Sequence, residues 1–341
     1  MQSLRFRVLT SMLFRGSGEF DPTARGVQTK AASFPLPRPS TTAGAIATLI
    51  FNTIGAVPKG NSWIEEYYSI LGDVVFRGPY LLADEDIYVE DAGKLIKLEK
   101  AIEKAEILAE LLLSRTEEEL SSSLKKLKMY TEAMEHLERA DERVGIGLTT
   151  KDLGIKMVKE SLIYSVSYID YSKLGSEIEI AVDFVGDLRL PISSTVQLGG
   201  DRRITNLRVK AQPVWDKVRE MLFKDGREDA GKIALYFISP ALVKTGGGLL
   251  EMFEDSITRF GKPLRRNGRL LMAGRIRLMG AGYSLKRRKR KPIYAALEPG
   301  SLIIVERYPD KCLDDIYKLG VSPLASALGY GTAIPVPVKL P

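Results

Sequence analysis

Lysine and arginine side chains are concentrated between Arg259 and Pro292. This stretch holds thirteen basic residues and no Asp or Glu, although the whole chain carries a formal charge of only +7. The rest of the chain is therefore slightly acidic. Such a concentration of positive charge favours binding of a polyanion, most readily the phosphates of a nucleic acid. Charge patterning alone leaves open the alternative of a solvated loop tip that binds nothing.

The composition of the stretch indicates folded structure rather than a tail. Five glycines interrupt it, and glycine lets a backbone bend sharply and approach a phosphate closely. Leu270 to Met279 supply apolar residues for a strand packed on a core. The candidate RNA contacts are the uninterrupted run Lys286, Arg287, Arg288, Lys289, Arg290 and Lys291.

A second candidate site lies at the start of a predicted helix. Alternating prolines at 35, 37 and 39 hold an extended approach, Ser40 is a good N-cap, and Ala43 to Phe51 has helical character. Hydroxyls and free backbone N–H groups at a helix N-terminus can bind phosphate. The alternative, equally supported, is that Ser40 only caps the helix and Gly44 only permits close packing, so that no ligand binds. The candidate contacts are Arg38, Ser40, Thr41, Thr42 and Gly44.

Length and composition limit the class of protein. With 341 residues, of which 45% are apolar, two domains are expected. The single cysteine, Cys312, excludes an intrachain disulfide framework and a cysteine-rich zinc site, and it favours a reducing cytoplasm. We expect no membrane span and no signal peptide, because apolar runs are short and Arg5 and Arg7 interrupt the first one.

The elements that would position these residues alternate between strands and helices. Leu4, Phe6 and Val8 predict a half-buried first strand whose arginines form an open, RNA-binding face. Residues 93–142 predict a helical insert in which Thr116 and Glu119 form a capping box. Acidic and basic residues mix on its outer faces, which indicates packing against protein rather than RNA.

Strands return after the insert. Residues 143–169 predict a long hairpin carrying Lys151 and Lys156, which either contact RNA or only confer solubility. The turn that follows places Arg202 and Arg203 beside two glycines, although Asp201 could simply pair with Arg203. Two halves of strand-helix-strand character predict an α+β fold of two ferredoxin-like (RRM-like) βαββαβ domains, residues 1–186 and 187–341.

Several motifs together resemble a known family. Phe34-Pro-x-Pro-x-Pro-Ser-Thr-x-Ala-Gly-Ala, Phe76-Arg-Gly-Pro-Tyr-Leu, Arg143-Val-Gly-Ile-Gly-Leu and Gln197-Leu-Gly-Gly-Asp-Arg-Arg follow the order seen in the third subunit of Cmr complexes, the type III-B CRISPR effectors. That family belongs to the repeat-associated (RAMP) RNA-binding superfamily. The resemblance implies that the hairpin is a thumb and that a C-terminal glycine-rich loop, Gly329, Tyr330 and Gly331, lies against RNA, with Tyr330 as a stacking surface.

The resemblance also implies a function. It predicts a non-catalytic subunit that binds the 5′ handle of the guide RNA (crRNA), docks the large cyclase-like subunit and a backbone subunit, and meets target RNA indirectly. Neither a cofactor nor a metal is expected. Membership of the related III-A type stays open at this point.

Two other functions remain open from the residues. One is a metal-independent RNA-processing nuclease of the same superfamily, using general acid and base groups at the 2′-hydroxyl. The only histidine, His136, has charged neighbours in the insert, so that nuclease would need a tyrosine and lysine pair instead. The other is a general RNA-binding protein outside CRISPR, which would explain the basic charge but not the order of the motifs.

Overall fold

The computed structural model describes residues 1–16, 30–31, 33–132, 139–150, 156–223, 230–244, 249–284 and 289–338. Of the residues singled out above, His136, Lys151, Lys286, Arg287 and Arg288 lie outside these ranges. The described part is a mixed α/β structure built mainly from antiparallel sheets. None of its helices is both long and apolar enough to span a membrane.

A seven-stranded antiparallel sheet forms the first half. Its strand order is β5-β4-β3-β8-β1-β10-β9, so β1 and β8 lie at the centre. The strands are β1 (Gln2–Val8), β3 (Val75–Ala83), β4 (Asp86–Asp91), β5 (Lys94–Lys97), β8 (Ile178–Val185), β9 (Ser193–Gln197) and β10 (Ile204–Lys210). The predicted alternation from Ile178 to Phe184 is confirmed as β8.

Two helices connect β1 to β3. The first, α1 (Pro39–Ile54), begins four residues before the predicted start at Ala43, and the second is α2 (Trp63–Leu71). Ser40 is not the N-cap. Arg38 occupies that position and Pro39 takes the first helical turn, where a missing N–H costs no hydrogen bond.

The predicted helical insert and hairpin are both present. Helices α3 (Leu98–Leu113) and α4 (Glu117–Glu132) follow β5. The capping box is confirmed, since Glu119 N donates to Thr116 Oγ1 at 3.2 Å and Thr116 N donates to Glu119 Oε2 at 3.3 Å. Strands β6 (Arg139–Thr150) and β7 (Lys156–Asp170) pair antiparallel, and the short β2 (Lys30–Ala31) pairs parallel with β7.

The second half is built on another antiparallel sheet of order β13-β21-β11-β22, with β16 also paired to β21. The three-stranded sheet β12-β20-β17 and two two-stranded ribbons, β14-β15 and β18-β19, lie beside it. The strands are β11 (Lys232–Phe237), β12 (Ala241–Val243), β13 (Gly261–Pro263), β14 (Arg265–Arg266), β15 (Arg269–Leu270), β16 (Met272–Ala273), β17 (Ile276–Gly280), β18 (Tyr283–Ser284), β19 (Lys289–Arg290), β20 (Ile293–Leu297), β21 (Leu302–Arg307) and β22 (Ala333–Pro337). The helices are α5 (Val214–Phe223), α6 (Leu249–Ile257) and α7 (Leu313–Leu319).

One buried core joins the two main sheets. It contains side chains of β3 and β8 from the first sheet, of β11 and β21 from the second, and of α3 between them. Trp215 stacks on Tyr317 with ring centroids 4.1 Å apart. Helix α3 of the insert therefore packs in the core between the two sheets.

Buried polar groups also connect the halves. Asp183 on β8 accepts hydrogen bonds from the N–H groups of Val214 (2.8 Å) and Trp215 (2.9 Å), which begin α5. Two otherwise unpaired donors of the helix are satisfied in this way. Burial raises the pKa of Asp183, and these hydrogen bonds oppose the shift.

The prediction of an open arginine face on β1 is wrong for Arg5. That side chain is 9% exposed, and its Nη2 donates to the Gln212 carbonyl at 3.4 Å. Burial lowers the pKa of Arg5, and the nearby charge of Asp183 opposes the shift. Alternation placed Arg5 on one face of the strand but gave no information about the chain segment that covers that face.

Candidate nucleic-acid interface

The glycine-rich loop lies against the start of α1. The hydroxyl of Tyr330 donates to Ser40 Oγ at 3.0 Å, across 290 residues of sequence. A methyl group added at Gly329 would lie 3.6 Å from the side chain of Pro39. Two of the predicted RNA-binding segments therefore lie in contact, although the glycine-rich loop is buried.

The glycine-rich loop is held in place by hydrogen bonds and by close backbone packing. The carbonyl of Gly329 accepts from Ser239 Oγ at 2.7 Å and from Thr332 Oγ1 at 2.9 Å. Gly331 has a φ of 67°, and a Cβ there would lie 2.3 Å from the backbone nitrogen of Ser322. Only glycine fits this conformation and this approach.

Tyr330 does not offer a stacking face. Its side chain is 1% exposed and its ring lies 6.3 Å from that of Trp63 in an edge-on arrangement. The expected stacking of an RNA base on Tyr330 is therefore wrong for this conformation. The sequence placed Tyr330 correctly in a glycine-rich loop, but flanking glycines do not show whether a ring points inward or outward.

Arg77 holds the segments next to the glycine-rich loop in place by hydrogen bonds. This fully buried side chain on β3 donates to the carbonyls of Tyr317 (2.8 Å), Lys318 (2.5 Å) and Ser326 (2.7 Å). Tyr317 and Lys318 end α7, where carbonyls lack helical partners. Ser326 begins the 3₁₀ turn that leads into Gly329. Burial lowers the pKa of Arg77 to about 10, so its charge is retained at neutral pH.

The last residue of the basic run joins the same surface. Lys291 Nζ donates to Tyr67 Oη at 3.1 Å and lies 5.1 Å from the ring centroid of Trp63. Tyr67 in turn donates to the carbonyl of Ser40 at 3.2 Å. Burial lowers the pKa of Lys291 to about 8, against the opposing charge of Glu66. The contact with two aromatic rings also favours the charged amine.

Arg38 is held at one edge of this surface. Its guanidinium lies 3.5 Å from the ring centroid of Phe34 and pairs with Glu90, the closest contact being 2.9 Å from Nη1 to Oε2. Glu90 is buried, and burial raises the pKa of its carboxyl although Arg38 opposes the shift. Arg38 is therefore already paired with a buried carboxylate in the protein without RNA.

The N-terminus of α1 has fewer free donors than predicted. The N–H groups of Thr41 and Thr42 both donate to the carbonyl of Arg38, at 2.7 and 3.4 Å. The hydroxyl of Thr42 donates to the Pro39 carbonyl at 2.9 Å and is buried. Gly44 allows close packing, because a Cβ there would lie 3.0 Å from Tyr67 Oη. These contacts match the alternative in which Gly44 serves packing.

A second group forms where the Arg202–Arg203 turn meets the base of the hairpin. The guanidinium carbons of Arg143 and Arg203 lie 4.7 and 4.6 Å from the ring centroid of Tyr168. Tyr168 donates to Asp201, and Asp141 pairs with Arg143. Two carboxylates therefore accompany the two guanidinium groups. The expected pairing of Asp201 with Arg203 is replaced by a hydrogen bond from Tyr168.

The structure thus brings the predicted residues into two groups. The first, which we call the Ser40 surface, contains Arg38, Ser40, Thr41 and Lys291, with the buried glycine-rich loop packed beneath it. The second contains Arg203 and the hairpin base, with Arg202 exposed beside it. The backbones of Lys156, Lys289 and Arg290 lie in strands β7 and β19.

Sequence reasoning missed Arg77, Trp63, Tyr67 and Glu90. The available signals were an arginine inside the otherwise apolar strand β3 and a glutamate that directly follows the apolar residues of β4, since buried charges require partners. No local pattern identified which partners these would be, because each lies in a distant segment.

These features define a mixed α/β protein with a folded basic segment and a glycine-rich loop placed against a helix start. A profile of the family described as CRISPR-associated protein (Cas_Cmr3) matches residues 116–337, well over half of the chain. The chain therefore belongs to the Cas_Cmr3 family.

Comparisons over the whole length agree. The chain is 24% identical over 315 residues to the CRISPR system CMR subunit Cmr3 of Saccharolobus solfataricus, covering 89% of this chain and 86% of that protein. It is also similar to a chain in the cryo-EM structure of the type III-B Cmr-beta bound to cognate target RNA, with a TM-score of 0.59 and 21% identity, over 96% and 95% of the two chains. A second such structure, with AMPPnP, gives a TM-score of 0.58 and 20% identity, over 89% and 86%. These structural likenesses establish the fold.

Proposed function

We propose that this chain is a non-catalytic subunit of a type III-B RNA-guided effector complex that binds the 5′ handle of the crRNA through the Ser40 surface. One observation carries the proposal: Ser40, Tyr330 and Lys291 come from three distant segments, Tyr330 donates directly to Ser40, and Tyr67 joins Ser40 to Lys291 by hydrogen bonds. Membership of a CRISPR-associated family supports a guide RNA as the ligand.

The chemistry of the surface fits a backbone ligand. Lys291 supplies one positive charge, and Ser40 and Thr41 are partly exposed at the start of α1. By contrast, Gly329 and Gly331 are buried and hold that helix start in place. Phosphate contacts of this kind give affinity and register, whereas splayed bases give specificity. The basic run that ends at Lys291 would extend the contact along the strand.

The strand orders support the proposed ferredoxin-like domains. The order β22-β11-β21-β13, with α6 after β11 and α7 after β21, is that of a βαββαβ unit. The first sheet has the corresponding order β10-β1-β8-β3 at its centre, with α1 after β1. Because β9 and β10 pair within the first sheet, we place the domain boundary near residue 211 rather than 187.

The proposed assembly has protein partners as well. A large cyclase-like subunit and a backbone subunit would hold this chain in a cytoplasmic complex, and target RNA would be met through the guide. The β6-β7 hairpin would serve as the thumb that projects towards the guide and its target. The group at Arg203 and the hairpin base would then lie along the same RNA path.

One observation favours a second function, an RNA-processing nuclease. Tyr67 and Lys291 form the tyrosine and lysine pair that such an enzyme would need, at 3.1 Å. Burial raises the pKa of Tyr67, however, and its hydroxyl already donates to Ser40. A raised pKa makes the phenol a poor general base near neutral pH. Incubation with labelled precursor RNA separates the two functions, because only the nuclease yields a product that Lys291→Met abolishes.

The proposal is tested by fluorescence anisotropy with two labelled RNAs of equal length, one beginning with the repeat-derived handle and one with the handle scrambled. We expect tighter binding of the first, and weaker binding of that RNA by Lys291→Gln, because a phosphate contact is lost. A Lys128→Gln variant on the exposed face of α4 provides a matched loss of charge. Equal affinity for both RNAs would contradict handle recognition.

A further inference from the structure

Strand β17 is an open edge of the three-stranded sheet. Within the described part of the chain, β17 pairs with β20 on one side and the sheet order ends there. The strand is exposed from Ile276 to Leu278, as is Arg275 directly before it. An edge of this kind presents unpaired backbone groups to any extended chain that approaches.

The register shows which backbone groups face the open side. Glu298 N donates to the Arg275 carbonyl at 2.9 Å, and Ala281 N donates to the Pro292 carbonyl at 3.1 Å. In an antiparallel ladder the residues that bond to the neighbour alternate with those that point away. The N–H and C=O groups of Ile276 and Leu278 therefore point towards the open edge.

The side chains of the strand divide into two classes. Ile276 and Leu278 are 43% and 63% exposed, and Ile293 on β20, opposite Gly280, is 61% exposed. Arg275 and Arg277 alternate with the two apolar residues. Arg277 lies 3.5 Å from Glu298, which also lies opposite Arg275 in the ladder, so one carboxylate accompanies the two arginines on this face. The edge therefore has an apolar face and a basic face.

We propose that β17 is a docking site for an extended segment of a partner protein in which acidic and apolar side chains alternate. Such a segment would add a strand to the sheet, place its apolar side chains on Ile276, Leu278 and Ile293, and place its carboxylates beside the arginines. Phosphates of a nucleic acid would pair with the arginines but would not add a strand to the open edge. A second copy of β17 is disfavoured, because its own arginines would be repelled.

This inference is separate from the Ser40 surface and is tested without the handle RNA. The probe is a fluorescein-labelled peptide of about ten residues in which Glu and Val alternate, the length of a long strand. A peptide with Lys in place of Glu and a labelled oligouridine are the other two probes. Binding of each to the full-length protein is measured by anisotropy.

The deciding variant is Leu278→Pro. Proline removes the outward N–H and is tolerated on edge strands, while the bonds to β20 remain. We expect binding of the Glu-Val peptide to weaken at least about tenfold, whereas Leu278→Ala, which keeps the N–H, loses no more than about threefold. Arg275→Glu should weaken the Glu-Val peptide and strengthen the Lys-Val peptide. Thermal unfolding of each variant checks the fold.

Amide exchange provides an independent readout. Addition of the Glu-Val peptide should slow exchange in residues 275–280 of the wild-type protein and leave it unchanged in Leu278→Pro. The proposal is overturned if the wild-type protein does not bind the Glu-Val peptide, or if Leu278→Pro binds it equally well. It is also overturned if Leu278→Pro weakens oligouridine instead, since β17 would then be an RNA contact.

Discussion

The hydroxyl of Tyr330 donates a hydrogen bond to Ser40 Oγ at 3.0 Å, joining the C-terminal glycine-rich loop to the first turn of α1. Tyr330 is buried and Ser40 is partly exposed. The contact therefore connects the core of the protein to the surface that we propose binds RNA.

The two partners should respond unequally to mutation. Ser40→Ala leaves the buried Tyr330 hydroxyl without this acceptor and should cost about 1–3 kcal/mol of unfolding free energy. Tyr330→Phe should cost about 1 kcal/mol or less, because the serine hydroxyl can turn to water. Urea denaturation measures both. The double variant should cost less than the sum of the single variants, and strict additivity would show that the hydrogen bond contributes nothing.

Lys291 should make RNA binding depend on pH. Its pKa of about 8 means that the amine is charged at pH 7 and largely neutral at pH 9. Handle affinity should therefore fall across this interval, and Lys291→Arg should flatten the profile because arginine stays charged. Glu66 opposes the loss of the proton, so Glu66→Gln should move the fall to lower pH. A profile identical in wild type and Lys291→Arg would exclude Lys291 as the titrating contact.

The same pKa shift predicts a stability effect of known sign. Folding lowers the pKa of Lys291 from 10.5 to about 8, so the unfolded chain binds more protons between these values. Stability should therefore rise with pH from about 8 to 10.5, and the cost of burying the charge is fully present below pH 8. Lys291→Met should remove this rise. Urea midpoints measured at several pH values for both proteins provide the test.

Arg77 should be essential to the loop rather than to RNA contact. Arg77→Met removes donors to carbonyls at the end of α7 and at Ser326, and should cost at least about 3 kcal/mol, since several buried acceptors lose partners. Arg77→Lys, which keeps the charge but not the fork of donors, should rescue only part of this loss. Denaturation midpoints of the two variants make the comparison. Equal stability of Arg77→Met and wild type would refute the support role.

Charge reversal should distinguish the two basic groups. Lys289→Glu with Arg290→Glu should weaken handle RNA strongly if the run tracks the backbone, and should flatten the dependence of affinity on salt. For about six phosphate contacts on a single strand, the wild-type slope of log affinity against log salt should be roughly −4. Arg202→Glu with Arg203→Glu is the matched pair at the other group. A wild-type slope near zero would reject the electrostatic account.

The sequence predicted individual helices and strands better than it predicted which segments pack against one another. Alternation at Ile178 to Phe184, the Thr116 and Glu119 capping box and the long hairpin are local patterns, and the structure confirms them. The start of α1 was wrong because proline at the first helical position was interpreted as part of the extended approach. The burial of Arg5 and Tyr330 depends on segments about 200 to 290 residues away, which no local pattern specifies.

The composition of the Ser40 surface was predicted only in part. Ser40, Lys291 and Tyr330 were each singled out, from a helix start, a basic run and a family resemblance. That Ser40 and Lys291 share one surface follows from Tyr67, which contacts both and carried no signal in the sequence. Arg77 was present in a quoted motif, but its role appears only once α7 and the loop are folded around it.

The most direct test of the central claim is to purify the affinity-tagged protein from its native host and to sequence the RNA that accompanies it. The account predicts RNAs that share one repeat-derived 5′ handle, recovered together with a large cyclase-like subunit, and loss of those RNAs in the Lys291→Gln variant. Protein free of RNA, or a broad mixture of cellular RNA unaffected by Lys291→Gln, would contradict it.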